Sequence, residues 1–281
     1  MAENRFDPLD NMAVRDRTTG LEWTRNANPF DFPLTWNEAR EACAALSSSD
    51  PRFPWRLPNR RELLSLISFA HANPALPDGH PFSNVPSVAL WSSTRVARNE
   101  SYRWYVQLSG GRMFYHQADS SVPAWPVRGQ SNIIPVTGRN DEPLTGRPWP
   151  QPRFLPGPTP AIILDRLTGL HWTRQAGLGQ KCLWTEALAR VTRLNTEAHQ
   201  GLRSWRLPTI RELESLTDAS RHDPALPDAH PFLDWRETYW SATSSGLDPN
   251  WAMCLYLDKG AVGVGFKQGP ERFAVWACAD S

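Results

Sequence analysis

Four cysteines, seven histidines and a scatter of carboxylates are the side chains through which this 281-residue chain could do nucleophilic, redox or metal chemistry. Cys43, Cys182, Cys254 and Cys278 stand far apart, and no C-x-x-C or H-x-x-x-H occurs, so zinc-ligand spacing is absent. His80 and His230 recur before proline in matching loops, where a structural hydrogen-bonding role is expected over metal binding. Asp16 and Asp165 each open a polar turn closed by Gly20 or Gly169, and each carboxylate is expected to cap its own turn. No Glu-Pro-Asn or Trp-Asn-Asp triplet of the calcium-dependent sugar-binding type is present. These residues assign no catalytic group, no metal and no cofactor. What remains is recognition: Arg95, Arg98, Asn99, Tyr102, Arg103, Tyr105, Arg112, Tyr115 and His116 bring together the Tyr and Arg that dominate binding hot spots.

The elements that position those side chains occur twice. WRLPNRRELLSLISFAHANPALPDGHPF at 55–82 returns as WRLPTIRELESLTDASRHDPALPDAHPF at 205–232, with 17 of 28 positions identical and no gap. Two related domains follow, over 4–129 and 152–280, with the proline-rich segment 130–151 read as a linker on which Trp149 is the docking residue. Each copy opens with a hairpin whose turn glycine supplies a positive φ. Helices are expected over 36–46 and 184–194 and again after each WRLP, where Asn59 with Glu62 and Thr209 with Glu212 form capping boxes. Arg61 and Arg211 would sit in the first turn of the second helix, against the dipole, and call for an acidic partner. The PALPD loop is too rich in proline for helix or central strand. Strands are expected over 89–94 and 239–243, then 104–108 and 251–255, with closing strands at 124–127 and 273–277. In the second copy the residues answering the recognition set are Ser244, Asp248, Asn250, Lys259 and Lys267.

Ten of the 14 tryptophans fall into five repeat pairs, Trp23/Trp172, Trp36/Trp184, Trp55/Trp205, Trp91/Trp240 and Trp104/Trp251. Each lies on the apolar side of its element, so core is expected over sugar stacking. Trp125, Trp149, Trp235 and Trp276 lack a repeat partner and are the freer candidates for ligand contact. With 30 basic against 29 acidic residues, nucleic acid is not an expected partner. No apolar run is long enough for membrane insertion. The first residues contain no signal-peptide core, so the expected compartment is cytoplasmic, or extracellular or phage-associated if a leader was removed or another export route is used. Four thiols without evident partners fit a reducing compartment.

The order TGLxW, Trp-x-Glu-Ala helix, WRLP-x-x-x-EL, proline loop, WSS and terminal strand resembles the Lcl C-terminal domain family across both halves. The resemblance implies a C-type-lectin-like α+β fold, two helices packed on small antiparallel sheets with the chain ends in one sheet. It also implies ligand-binding or adhesive work on a protein or glycan, with no catalytic residues to carry over. Variable, retroelement-diversified or phage-type receptor-binding proteins and formylglycine-generating oxidases share the related fold, and for such an oxidase Cys254 and Cys278 are the thiols within one domain. Members often pair a cysteine in the first helix with one in the last strand. Here Cys43 holds the helix position of the first copy opposite Gly129, and Cys278 holds the strand position of the second opposite Val191.

Overall fold

The computed structural model describes residues 5–46, 52–141 and 143–281; residue 4, the expected start of the first copy, lies outside them. The chain divides into two compact units, Met1–Pro148 and Trp149–Ser281, each an α+β domain.

In the first unit, β1 (Phe6–Pro8), β2 (Ala13–Asp16), β3 (Glu22–Thr24) and β7 (Val127–Arg128) form a four-stranded antiparallel sheet in the order β1-β2-β3-β7. Its first and last strands therefore share one sheet. Helices α1 (Trp36–Ala45) and α2 (Arg60–Leu66) precede a meander of β4 (Ala89–Arg95), β5 (Tyr102–Gln107) and β6 (Arg112–Gln117). The second unit repeats this with β8 (Phe154–Pro156), β9 (Ile162–Asp165), β10 (Leu170–Thr173) and β14 (Cys278–Asp280) in one sheet. Its helices are α3 (Trp184–Thr196) and α4 (Ile210–Ser215), and its meander is β11 (Thr238–Ser244), β12 (Trp251–Tyr256) and β13 (Ala261–Phe266). A short 3-10 turn, His199–Gly201, follows α3.

The turn aspartates cap as expected. Asp16 accepts from the Thr18 amide at 3.0 Å and the Thr19 hydroxyl at 2.9 Å, and Gly20 takes φ +76. Each carboxylate is also clamped by the arginine that opens its copy: Arg5 on Asp16 at 2.6 Å and Arg153 on Asp165 at 2.8 Å. The same guanidinium reaches the carbonyl of Ser65 or Ser215 on the second helix, so one side chain ties first strand, hairpin and helix together.

Capping boxes open α1, α2 and α4, whereas α3 keeps only half of one, Glu186 accepting from the Leu183 amide, because Leu183 has no side-chain acceptor. In the WRLP segment, Arg56 makes a two-pronged bond to Glu62 at 2.8 and 2.7 Å, and Arg206 does the same to Glu212 at 2.8 Å for both prongs.

The indoles build the interiors, and each buried ring is worth about 4–6 kcal/mol of apolar burial. Two of the expected assignments change. Trp91 lies opposite Tyr105 and Trp240 opposite Cys254, and Ser92 bonds the Trp104 carbonyl as Ser241 bonds that of Met253. Trp104 therefore corresponds to Met253, and Trp251 to Tyr102, a slip of two residues that keeps every side chain on its expected face. Trp125 and Trp276 are the true fifth pair, not free rings. Both are fully buried, edge-on to Trp23 or Trp172 and to Phe82 or Phe232, and donate to the Thr24 or Thr173 carbonyl.

The closing strands begin later than expected, at Val127 and Cys278, because the residues before them cross between sheets. Trp91 and Thr24 donate to the carbonyls of Pro123 and Pro126, and Trp240 and Thr173 to those of Ala274 and Ala277. The register also moves the strand position opposite Cys43 from Gly129 to Val127, since Trp23 faces Val127 where Trp172 faces Cys278.

The segment 130–151 does not run free as a linker. Over 131–147 it folds onto the first unit, where Ser131, Ile134, Thr137, Asp141 and Thr145 are buried. Asp141 accepts from the Thr94 and Thr137 hydroxyls at 2.6 and 2.7 Å, Thr145 pairs with Asn59 and Glu62, and Arg61 donates to the Val136 carbonyl. Asp141 lies in the field of Arg60, an acidic group entering the arginine-rich first turn of α2. Trp149 packs under the Arg153 guanidinium of the second unit, 5.3 Å from its ring centre.

Replacing Arg56 by Ala strands the buried Glu62 carboxylate and is expected to cost about 3–5 kcal/mol in the first unit's guanidinium-chloride transition, leaving the second transition in place. Burial pushes the Glu212 carboxyl up, but bonds from Arg206 and the Thr209 amide outweigh it and hold it below its ordinary 4.5. Stability from this pair is then present above that value and lost as pH falls through and below it. Thermal unfolding of Glu212→Gln between pH 7 and pH 3 should show a shallower decline for the second transition than the parent does.

Candidate functional site

Sheet register decides which of the residues expected to serve recognition meet. Arg95 lies opposite Arg103, and Arg103 opposite His116, so three cationic or titratable side chains form one row across the loop end of the β4–β6 sheet. Tyr105, two residues along β5, shares that face and stacks on the His116 ring at 4.7 Å. Beneath the row lies Trp36 of α1, with the Arg103 guanidinium 4.3 Å and that of Arg40 4.8 Å from its ring centre. Cation–π contacts of this kind are worth about 0.5–2 kcal/mol each and hold the guanidinium planes in place. The indole of Trp36 is itself anchored, its Nε1 donating to the Ser92 carbonyl at 2.8 Å. Arg40 was not among the residues expected here, although its position four residues after Trp36 places it over the same helix face.

The remaining residues of the first-copy set go elsewhere. Tyr102 and Tyr115 sit on the opposite face, Tyr115 edge-on to both Tyr102 and Trp104, and Trp104 lies under Arg60. Alternation along β5 forces this, since Tyr102 has the parity of Trp104 and Arg103 that of Tyr105. Asn99 serves the turn: its side chain accepts from the Ser101 amide and its carbonyl from Tyr102, while Arg98 beside it is exposed. Arg112 is paired with Gln107 at the far hairpin, about 13 Å from the row by strand rise.

In the second copy, Asp248 repeats the Asn99 turn, accepting from the Asn250 and Trp251 amides. Lys267 arches over Trp184, 4.3 Å from the ring centre, and its ammonium donates to the Ser244 hydroxyl and the Pro249 carbonyl, both at 2.7 Å. Burial lowers the Lys267 pKa from its ordinary value. Lys259 lies over Tyr256 at the far hairpin and does not join them. The row of the first copy is replaced by Ser244, Ala252 and Gly265. Gly265 is required there, because a Cβ would come within 2.7 Å of the Trp240 ring. Both copies thus set a cation over the first-helix indole, from different sequence positions.

His80 lies tilted against Phe82 and His230 stacks on Phe232, and burial lowers the pKa of each. Nδ1 of each ring is buried without a protein partner among the described residues, so the expected hydrogen-bonding role is not met at that nitrogen. All four cysteines are buried and unbridged. Burial pushes the Cys43, Cys254 and Cys278 thiols up to about 12, leaving about 10⁻⁵ of each ionised at neutral pH. No group of three or more His, Cys, Asp or Glu side chains that could hold a metal ion is present among the described residues. No helix of the described residues is long and apolar enough to cross a membrane. A disulfide-exchange reagent at neutral pH should leave all four thiols unmodified in the folded protein and titrate four after denaturation; one fast-reacting native thiol would contradict the burial.

No curated protein matches the chain. The model of the Lcl C-terminal domain matches twice, over residues 12–128 and 161–278, the two hairpin-to-last-strand spans described above. The chain therefore belongs to the Lcl C-terminal domain family and carries that domain in tandem.

Proposed function

We propose that the protein is a non-catalytic recognition module, a duplicated C-type-lectin-like scaffold whose loop-end surfaces take a protein or glycan ligand. The observation that carries this reading is the contrast between the copies at matched positions. Arg95, Arg103 and His116 in the first become Ser244, Ala252 and Gly265 in the second, while Trp36 and Trp91, the capping box of the second helix and the Arg56–Glu62 pair recur as Trp184, Trp240, the α4 box and Arg206–Glu212. Packing against the Trp240 ring accounts for Gly265, so the contrast that supports a ligand is the replacement of two arginines by Ser244 and Ala252. The first-copy row, held on an indole and flanked by Tyr105, suits carboxylate or sulfate groups through charge-assisted hydrogen bonds, with Nη1 of Arg103 already donating to the Glu100 and Tyr102 carbonyls. The second copy offers Lys267, Ser244 and Trp184, a smaller and less charged surface suited to a different ligand or a different part of the same one.

The test uses an array of sulfated and carboxylated glycans together with immobilised poly-glutamate. Binding of the full chain should fall by about tenfold or more in the Arg95→Glu, Arg103→Glu double variant. Lys259→Glu, at the far hairpin, should bind as the parent does. Equal losses in both variants, or no parent binding to any probe, would remove the proposed face.

A further inference from the structure

The outer edge of the three-stranded sheet is closed differently in the two copies. Along β4 every second amide points away from β5, and each finds an acceptor: Trp91 on the Pro123 carbonyl at 3.0 Å, Ser93 on Pro58 at 2.8 Å and Arg95 on Asn140 at 2.8 Å. Along β11 the first two are matched, Trp240 on Ala274 at 3.1 Å and Ala242 on Pro208 at 2.8 Å. The third is Ser244, which stands where Arg95 stands and is exposed. No backbone acceptor reaches its amide from any loop among the described residues.

In the first copy that acceptor comes from the 131–147 segment, which is fastened by named side chains. Asn140 returns a bond from its Nδ2 to the Arg95 carbonyl at 3.3 Å, Asp141 takes the Thr94 hydroxyl, and Thr145 bridges Asn59 and Glu62. The receiving positions recur as Thr243, Thr209 and Glu212. Thr243 accepts from the Ile210 amide at 3.0 Å as Thr94 does from Arg60 at 3.1 Å. Thr94, Asn59 and Glu62 are buried, whereas Thr243 and Glu212 are half-buried and Thr209 is exposed. The second copy holds the receiving half of an interaction whose other half the first copy supplies from its own chain.

We infer that the outer edge of β11 docks a segment of a partner protein that makes the contacts of Asn140 and its neighbour, with an asparagine clamping Ser244 and a neutral hydrogen-bond acceptor next to it meeting Thr243. Strand edges with an unused amide are satisfied in this way by added segments. The neutral group follows from Ile210, which replaces Arg60. Asp141 is buried in the field of that guanidinium, and an isoleucine offers no compensation to a buried carboxylate. This edge uses the backbone of Ser244, whose hydroxyl belongs to the second-copy surface of the preceding proposal, and the Asn140→Ala peptide below tells failure of one from failure of the other.

The probe is a fluorescein-labelled synthetic peptide of residues 131–147 carrying Asp141→Asn, titrated against the full chain by anisotropy. Saturable binding with Kd below about 1 mM is expected. It should weaken about fivefold or more when the peptide also carries Asn140→Ala, and about tenfold in the protein variant Ser244→Pro, which deletes the edge amide. The peptide substitution keeps the test decisive if the proline variant folds poorly. Absence of saturation would overturn the inference. So would binding that ignores both substitutions, or binding that strengthens in protein carrying Asn140→Ala while ignoring Ser244→Pro, which would mean exchange on the first copy.

Discussion

A guanidinium locked to a carboxylate six residues later is the constraint from which each copy is built. Arg56 and Arg206 lie on strand-like backbone that exchanges both amide–carbonyl bonds with Val127 or Cys278 of the last strand, while their side chains grip Glu62 or Glu212. The same glutamate accepts the amide of Asn59 or Thr209 and so starts the second helix. Middle and end of each copy are thereby fixed to one another through a single ion pair. Buried pairs of this kind gain little net stability against an apolar replacement, since desolvation offsets the attraction, but they leave a large penalty when halved. Their value here is geometric, because the bend at Leu-Pro between arginine and glutamate is held only if both ends are.

Around this pair the copies diverge in what covers them. Arg56 is 11% exposed and Arg206 36%. The difference reflects the 131–147 segment, which seals the first copy with Asp141, Thr137 and Thr145 and has no counterpart among the described residues of the second. A carboxylate in that seal is costly: burial pushes the Asp141 pKa up to about 6 despite two hydroxyl bonds and Arg60. The charged arginines at the start of α2 and the buried aspartate are therefore one device, and Ile210 in the second copy is consistent with its absence there.

The duplication, the α+β class and the helix starts were legible because they rest on local rules. Capping boxes, turn glycines and the Asp16 and Asp165 caps depend on residues within four positions of one another. The pairing of Trp104 with Trp251 was not legible. A shift of two residues leaves alternation intact, so the apolar pattern of a strand cannot distinguish the two registers; the bond from Ser92 to Trp104, matched by Ser241 to Met253, can. Trp125 and Trp276 escaped for the related reason that their spacing differs by one residue from that of the aligned loop. The 130–151 segment read as a linker because its prolines and polar residues carry no periodicity, yet its hydroxyls and carboxylate are what the buried Asn59, Thr94 and Glu62 require.

The amino-acid sequence by itself determined that there are two copies of one α+β module, where their helices begin, and that their shared indoles are interior. Which of the residues expected to serve recognition stand together was decided by tertiary structure alone. Strand register sets Arg95, Arg103 and His116 in one row, sends Tyr102 and Tyr115 to the other face, and carries Arg112 and Lys259 to the far end. Register arises from long-range pairing of backbone amides and carbonyls, which every residue but proline supplies alike, so side-chain identity along one strand does not encode its partner.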